Sequence, residues 1–161
     1  MSASYTKRTL ENLAGLNRKF RVQAEAFLAA SQPIAERHKI TIEVISGLRS
    51  WAQQNALYAQ GRTKPGRIVT KARAGSSWHN YGLAIDLGLF AGGKYLDSAD
   101  PRRADKIYAE LGKLAADMGI EWAGPWKSFT ESPHFQNRYG MSISQARAKM
   151  ESVNFDHQKI V

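Results

Sequence analysis

The segment Ser77-Trp-His-Asn-Tyr-Gly-Leu-Ala-Ile-Asp-Leu-Gly-Leu89 determines the fold class of this chain. From Leu83 onward, large apolar side chains alternate with small ones and one carboxylate, a pattern that predicts a strand. Leu83, Ile85 and Leu87 lie on one face, and Asp86 lies on the other face between alanine and glycine. A carboxylate in the middle of a strand needs a cation, a metal or a hydrogen-bond network. Asp86 alone leaves open a salt bridge to an arginine and a metal site.

Other regular patterns surround this strand. Residues 39–46 alternate as a half-buried strand, residues 134–136 form a short one, and Gly92-Gly93 predicts a hairpin turn into a strand around residue 95. Strands and helices without a regular βαβ rhythm predict the α+β class, with a small, mainly antiparallel sheet flanked by helices. Helical spacing and capping residues predict helices at residues 9–16, 20–38, 50–58, 101–118 and 142–150.

Further expectations concern details of these elements. Thr9 is expected to cap the first helix, and Pro33 to kink or restart the second one. Ser50, Asp100 and Ser142 are expected to cap the three helices that follow. Residues 122–135 are expected to form a loop rich in glycine, proline and aromatic residues. The residues after Arg138 are expected to form a closing helix followed by a loose end.

Length and composition limit the classes of protein that fit. The 161 residues (17.9 kDa) predict a single domain over 1–161. The chain has no cysteine, which excludes disulfides, cysteine nucleophiles and thiolate metal sites. Its net charge is +9, and six basic residues but no acidic one lie between Arg49 and Arg73. Such a field favours a polyanionic partner, whether nucleic acid, an anionic cell envelope or a membrane surface.

The first ten residues, Met1–Leu10, lack the apolar core of a signal peptide. No stretch approaches the roughly 18 apolar residues of a membrane-spanning helix. We therefore expect a protein made in the cytoplasm, which would need a separate route to act outside the membrane.

Two histidines accompany Asp86. His79 precedes it by seven residues, and Gly82 between them permits a turn that returns His79 toward Asp86. In the short strand at residues 134–136, His134 and Gln136 face the same way. Two imidazoles and one carboxylate match a catalytic zinc site whose fourth position is open to water. The same spacing is also compatible with ordinary core or surface histidines.

Two further charged residues are candidates for chemistry. Glu131 lies three residues before His134, where its carboxylate could act as general base and then acid, or be a surface charge. Arg49 follows a glycine turn after the strand at residues 39–46. Its guanidinium could bind a substrate carboxylate or a tetrahedral oxyanion, or be solvated.

Four segments in one order carry a family resemblance. They are Ser46-Gly-Leu-Arg-Ser50, Ser77-Trp-His-Asn-Tyr-Gly-Leu-Ala-Ile-Asp86, Trp126-Lys-Ser-Phe129 and Glu131-Ser-Pro-His-Phe-Gln136. Together they resemble the zinc peptidases of peptidoglycan stems, namely the VanY-type D-alanyl-D-alanine carboxypeptidases and the L-alanyl-D-glutamate endopeptidases of phage endolysins. The segment before the last motif is more similar to the endopeptidase branch. Two positions depart from that branch, where Asp is frequent at the place of Glu131 and Tyr is common at the place of Leu48.

The resemblance implies a role for each site residue. It implies that His79, Asp86 and His134 hold Zn²⁺ in a cleft on the sheet, and that Glu131 is the catalytic acid and base. It also implies that Arg49 lies near the substrate or transition state. Two more residues, Gln54 and Ser77, are implied as substrate contacts.

The resulting hypothesis is a monomeric zinc endopeptidase that hydrolyses the L-Ala–D-Glu bond of peptidoglycan stem peptides. It would act as a phage or prophage endolysin without a separate cell-wall-binding domain. It would act on periplasmic or cell-wall peptidoglycan after release, and its basic surface would be attracted to the anionic envelope without a stable nucleic-acid partner. Three alternatives remain: a D,D- or L,D-carboxypeptidase, a secreted antibacterial effector with the same chemistry, and a nucleic-acid-binding protein.

Overall fold

The computed structural model describes residues 4–126 and 131–161. Within these ranges the chain combines helices with a small antiparallel sheet, which confirms the α+β class. The helices are α1 (Lys7–Ala14), α2 (Arg18–His38), α3 (Trp51–Ala59), α4 (Leu96–Ala99), α5 (Pro101–Asp117) and α6 (Ile143–Ser152). The strands are β1 (Thr41–Ser46), β2 (Ala84–Ala91), β3 (Lys94–Tyr95), β4 (Glu121–Trp122) and β5 (His134–Gln136). Short 3₁₀ helices occupy Trp78–Tyr81 and His157–Lys159.

Strand β2 lies at the centre of the sheet. The strand order is β1-β2-β5-β4, and β3 pairs with the far end of β2 through the predicted hairpin at Gly92-Gly93. The four pairings between these strands are all antiparallel. The central position of β2 explains why its sequence is so strongly patterned, since both of its edges are paired and one of its faces is in the core.

The two faces of β2 have different surroundings. Ile85 and Leu87 have no exposed surface, and Ile85 pairs with Phe135 of β5. The Phe135 ring contacts Phe27 of α2 with centroids 5.2 Å apart, so α2 covers this face. On the opposite face the Asp86 side chain keeps 25% of its surface exposed. One face is therefore core, and the other is free to form a site.

Two helix predictions are corrected. Thr6, not Thr9, caps α1: its hydroxyl accepts a hydrogen bond from the Thr9 backbone N–H, while Thr9 is buried and its own hydroxyl accepts from the Val44 N–H of β1. Pro33 does not restart α2, because the helix continues through it to His38, and a kink at Pro33 stays a prediction. No helix in the described ranges combines the length and apolar character needed to span a bilayer.

The C-terminal segment is not a loose end. Ser142 caps α6 with a full capping box, as predicted. Beyond α6, the His157 carbonyl accepts from the Asn17 amide at 2.6 Å. The Gln158 amide accepts from Arg18 N–H and donates to the Leu16 carbonyl. The tail is thereby fixed to the corner between α1 and α2, a long-range contact that no local sequence pattern indicates.

Candidate metal centre

Strand pairing brings two of the three predicted ligands together. Asp86 of β2 is the direct partner of His134 of β5, and directly opposed residues in an antiparallel pair point to the same face. The His134 Nδ1 lies 3.2 Å from Asp86 Oδ1. The sheet itself therefore fixes this half of the site.

A tight turn supplies the third ligand. The Ser77 hydroxyl caps the 3₁₀ helix Trp78–Tyr81 by accepting from the His79 N–H. Gly82 then reverses the chain with φ +68°, a left-handed value that side chains disfavour. As a result, His79 Nε2 also lies 3.2 Å from Asp86 Oδ1. The prediction that Gly82 returns His79 to the Asp86 face is confirmed.

This group of side chains fits a metal ion. One ligand atom each from His79, Asp86 and His134 can be chosen so that all lie within 4.8 Å of one another, and both histidines are buried. The other nitrogen of each ring contacts a carbonyl-type oxygen: His79 Nδ1 is 2.8 Å from the Gly47 carbonyl, and His134 Nε2 is 2.7 Å from Gln136 Oε1. Because these oxygens only accept, those ring nitrogens carry the hydrogens. When the rings are neutral in these tautomers, the nitrogens that face Asp86 present lone pairs, as a metal requires.

The amide of Gln136 is itself held in place. Its Nε2 donates to Glu121 Oε2 at 3.5 Å, and Glu121 forms a salt bridge of 2.8 Å with Arg138. This arrangement keeps the amide oxygen of Gln136 directed at His134. The pattern of β5 placed Gln136 on the correct face, but its partner depends on side-chain geometry that the pattern does not contain.

The electrostatics of the site favour an ionised Asp86. Burial alone would raise the pKa of this carboxyl, but the charges and hydrogen bonds of His79 and His134 hold it well below its usual range. The pKa of Glu131 is shifted in the opposite direction. Burial raises it, and the neighbouring Asp86 adds to that effect, while His134 and Arg49 oppose it. A carboxyl with a raised pKa next to a ligand set is suited to proton transfer near neutral pH.

Glu131 stands beside the ligands without belonging to the group of three. Its Oε2 lies 3.9 Å from His134 Nδ1. The segment that carries it is anchored by Trp122, whose indole N–H donates to the Ser132 carbonyl at 2.8 Å. The indole ring fills a slot between two glycines: a Cβ added to Gly112 or to Gly124 would lie 2.1 Å or 2.0 Å from it. The predicted loop at residues 122–135 thus begins with strand β4 and a fixed aromatic anchor.

Arg49 also reaches the ligands. Its Nη2 lies 3.9 Å from Asp86 Oδ2, and its backbone N–H donates to the His79 carbonyl at 2.9 Å. The Asn80 amide donates to the Arg49 carbonyl at 3.0 Å. The arginine is therefore attached through its backbone to the turn that carries His79. Sequence reasoning missed Asn80 and the Gly47 carbonyl, because both act across a chain reversal.

The two remaining predicted residues, Gln54 and Ser77, differ in their surroundings. Ser77 lines the cleft and caps the 3₁₀ helix. Gln54 is completely buried, and its amide is hydrogen-bonded to Arg49 and to the Ala72 carbonyl. Their assignment as substrate contacts stays a prediction. Of the Trp126-Lys-Ser-Phe129 motif, residues 127–129 lie outside the described residues, and Trp126 contacts the His134 ring with centroids 5.7 Å apart.

Two cavities meet at the ligand group. One of about 700 Å³ extends past Ile45, Tyr95 and Asp97, and the other of about 590 Å³ extends past Arg49 and Thr70. Both are lined by Asp86, Glu131 and His134. The three side chains thus lie where the two cavities meet to form one cleft.

Comparison with known proteins identifies the family. A family model described as D-alanyl-D-alanine carboxypeptidase matches residues 70–137, which contain all three ligand candidates. The peptidoglycan L-alanyl-D-glutamate endopeptidase CwlK of Bacillus subtilis (strain 168) is 40% identical over 119 residues, which cover 70% of this chain and 68% of CwlK. The chain is a metallopeptidase of this family. The resemblance found in its motifs is thereby confirmed.

Two further similarities link the metallopeptidase to endopeptidases. It is 30% identical over 139 residues to an L-alanyl-D-glutamate peptidase of a Listeria phage, covering 86% of this chain and 44% of the phage protein. Among solved structures it is similar to the L-Ala D-Glu endopeptidase ChiX of Serratia marcescens, with a TM-score of 0.55 and 26% identity. That match covers 84% of this chain and 90% of ChiX.

Proposed function

We propose that this metallopeptidase is a zinc-dependent L-alanyl-D-glutamate endopeptidase that hydrolyses peptidoglycan stem peptides. The observation that carries the proposal is the group His79, Asp86 and His134 with Glu131 beside it, in a chain 40% identical to the endopeptidase CwlK. Imidazole and carboxylate ligands without thiolates match the donor set of catalytic zinc. The cleft on both sides of the group suits cleavage inside a peptide.

The chemistry divides between the ion and the protein. Zinc held by this ligand set supplies Lewis-acid polarisation of a carbonyl and lowers the pKa of water. Glu131 takes a proton from the attacking water on its carboxylate and delivers it to the leaving amine, so that water adds across the C–N bond. The raised pKa of Glu131 makes its carboxylate a stronger base, which favours the first transfer, in which it takes the proton from water.

Arg49 contributes a fixed positive charge. Burial lowers its pKa, while Asp86 and Glu131 oppose that shift, and a guanidinium remains protonated in either case. Its Nη2 lies 3.9 Å from Asp86 Oδ2, which places N–H donors near the middle of the cleft. There they would stabilise the negative oxygen that develops on the attacked carbonyl.

Digestion of purified peptidoglycan, followed by mass spectrometry of the products, tests the proposal. We expect new D-Glu N-termini, loss of activity with a chelator, and recovery when zinc is added back. Release of free D-Ala instead would identify a D,D- or L,D-carboxypeptidase and overturn the endopeptidase assignment. Activity that is unchanged by prolonged chelation would overturn the metal dependence.

Substitution of Glu131 separates catalysis from metal binding. Glu131→Ala should abolish hydrolysis while the protein retains bound zinc in elemental analysis, because Glu131 is outside the ligand group. Glu11→Ala, which removes an exposed carboxylate paired with Lys7, is the matched control and should keep full activity. A fully active Glu131→Ala protein would contradict the assigned role.

The basic loop, defined as residues 61–73, is proposed to attract the anionic cell envelope. Residues 61–69 are all exposed, and within residues 4–126 and 131–161 Arg62, Lys64, Arg67 and Arg73 form no ion pair with a carboxylate. Arg62 and Arg73 instead stack on the Tyr58 ring. Their charge is therefore available to an anionic surface.

A triple Arg62→Ala/Lys64→Ala/Arg67→Ala variant tests that attraction. It should cosediment less with intact cell walls at low salt and hydrolyse a short soluble stem peptide at the normal rate. Tight retention on DNA that the triple variant loses, with no effect on cell walls, would instead support a nucleic-acid partner. Equal cosedimentation of both proteins would refute the role of the loop.

We further propose that the protein is a monomeric phage or prophage endolysin. It would be made in the cytoplasm and act on the wall after release. The similarity to the Listeria phage peptidase supports this role. Expression in a bacterial host with and without a membrane-permeabilising partner tests it: lysis only with the partner is expected. Lysis without any partner would contradict it, and light scattering in solution tests the monomer.

A further inference from the structure

Gln54 occupies an unusual position for a polar side chain. It lies on α3, has no exposed surface, and is flanked on the helix by exposed residues. Both functions of its amide are used inside the protein. The oxygen accepts from Arg49 Nη1 at 2.9 Å, and the nitrogen donates to the Ala72 carbonyl at 2.8 Å. Removing either partner of such a buried amide leaves a polar group without a hydrogen bond, which destabilises the protein.

These two bonds connect separate parts of the site. Arg49 directs its other terminal nitrogen to Ser46 Oγ at 3.2 Å and toward Asp86. Ala72 lies near the C-terminal end of the basic loop, and both Ala72 and Thr70 of this loop line the cleft. Gln54 therefore joins the guanidinium beside the ligand group to the wall of the cleft.

We propose that Gln54 is a positioning residue that acts through Arg49, and not a substrate contact. An arginine side chain has several rotatable bonds, and its charge stabilises an oxyanion only when it is held in one place. The backbone bonds of Arg49 fix its Cα, whereas Ser46 and Gln54 fix the guanidinium plane. Because Gln54 has no exposed surface and its amide bonds to Arg49, Ala72 and Thr70 inside the protein, substrate reaches it only through Arg49.

A double-mutant cycle distinguishes positioning from contact. The inference rests on the proposed peptidase activity, so the wild-type protein is first shown to hydrolyse a stem peptide. Gln54→Ala should then lower kcat/KM at least about tenfold, since a hydrogen bond to a charged group is lost. The loss should fall on kcat, with KM changed less than about twofold, because Arg49 acts on the transition state.

The decisive measurement is made in the absence of the guanidinium. In an Arg49→Ala background, adding Gln54→Ala should change kcat/KM by less than about twofold, because Gln54 then has nothing to position. Independent losses that multiply, or a rise in KM for Gln54→Ala alone, would show a direct substrate contact and overturn the proposal.

Two controls keep the result interpretable. The first control is Asn55→Ala on the same helix. Asn55 Oδ1 accepts a hydrogen bond from the Ala74 N–H at 3.2 Å, so this variant also loses a bond between α3 and the loop. Because that bond does not involve Arg49, the variant should keep the wild-type kcat. Gln54→Met retains the buried volume but no hydrogen bond, and should match Gln54→Ala in kcat while unfolding at a higher temperature. A Gln54→Met protein with normal kcat would refute the proposal. An inactive wild-type protein would refute the proposed function instead.

Discussion

Replacement of Gly82 by alanine is the sharpest test of how this fold builds its site. Gly82 ends the turn that returns His79 to Asp86, with φ +68°. A Cβ there would lie 2.7 Å from the backbone nitrogen of Asn17 and 2.9 Å from His157 Cδ2. The first of these atoms is main chain in the α1–α2 corner and its N–H bonds to the Gly82 carbonyl, so it has little freedom to move.

The expected loss follows from two costs. A left-handed conformation costs an L-residue about 1–2 kcal/mol. Forcing a methyl group into a filled space costs about 1–3 kcal/mol. We therefore expect Gly82→Ala to lower the free energy of unfolding by about 3 kcal/mol, which for a chain of this length lowers Tm by about 6–12 °C.

Gly140→Ala separates the two costs. Gly140 also has a left-handed φ of +77°, but a Cβ there would meet nothing within 4 Å. Urea denaturation of both variants, followed by far-UV circular dichroism in the presence of a chelator, gives the two free energies without a contribution from metal binding. Gly82→Ala should lose about 1–3 kcal/mol more than Gly140→Ala. Equal losses would refute the close approach at Gly82 and the rigidity that we ascribe to the turn.

Three further predictions concern the surroundings of the site. Gln136→Leu removes the acceptor for His134 and should weaken zinc binding about 10–100-fold in a competition titration, so unchanged affinity would contradict the fixed tautomer. Burial raises the pKa of Tyr95 to about 12, and the negative charge of Asp97 adds to this effect. The neutral phenol therefore contributes its full stability below pH 10, and this contribution should be lost as the pH rises through 12. Tyr95→Phe should remove part of that alkaline decline in stability, as followed by unfolding at a series of pH values, and an identical profile would count against it. Gly112→Ala should yield little folded protein by circular dichroism because a Cβ there would overlap the indole of Trp122, and a stable variant would disprove that packing.

Local patterns predicted the group of His79, Asp86 and His134, because the position of each side chain depends on a short-range rule. The alternation in β2 placed Asp86 opposite the core, the same period placed His134 on one face of β5, and Gly82 allowed the return of His79. Ser50 and Asp100 cap α3 and α5 as predicted. Strand alternation, turns and helix caps each depend on only a few consecutive residues.

The supporting contacts were not predictable for a physical reason. The hydrogen bonds that orient both histidines depend on strand register, including the irregularity between Val44 and Ser46 in β1 that precedes the Gly47 carbonyl. The two-residue strand β4 has too few residues to form a pattern of its own. The anchoring of Gln158 to the α1–α2 corner joins residues more than a hundred positions apart. Register and distant pairing are properties of the assembled chain.

The slot that holds Trp122 has an evolutionary consequence. The indole ring occupies the space that a methyl group at position 112 or 124 would need. The residues at positions 112, 122 and 124 must therefore be complementary in size. An ancestor or descendant with a side chain at 112 or 124 would need a smaller residue at 122, and that residue would have to leave the Ser132 carbonyl to another donor. We therefore expect substitutions at these three positions to occur together among related sequences, even though none of them belongs to the group of His79, Asp86 and His134.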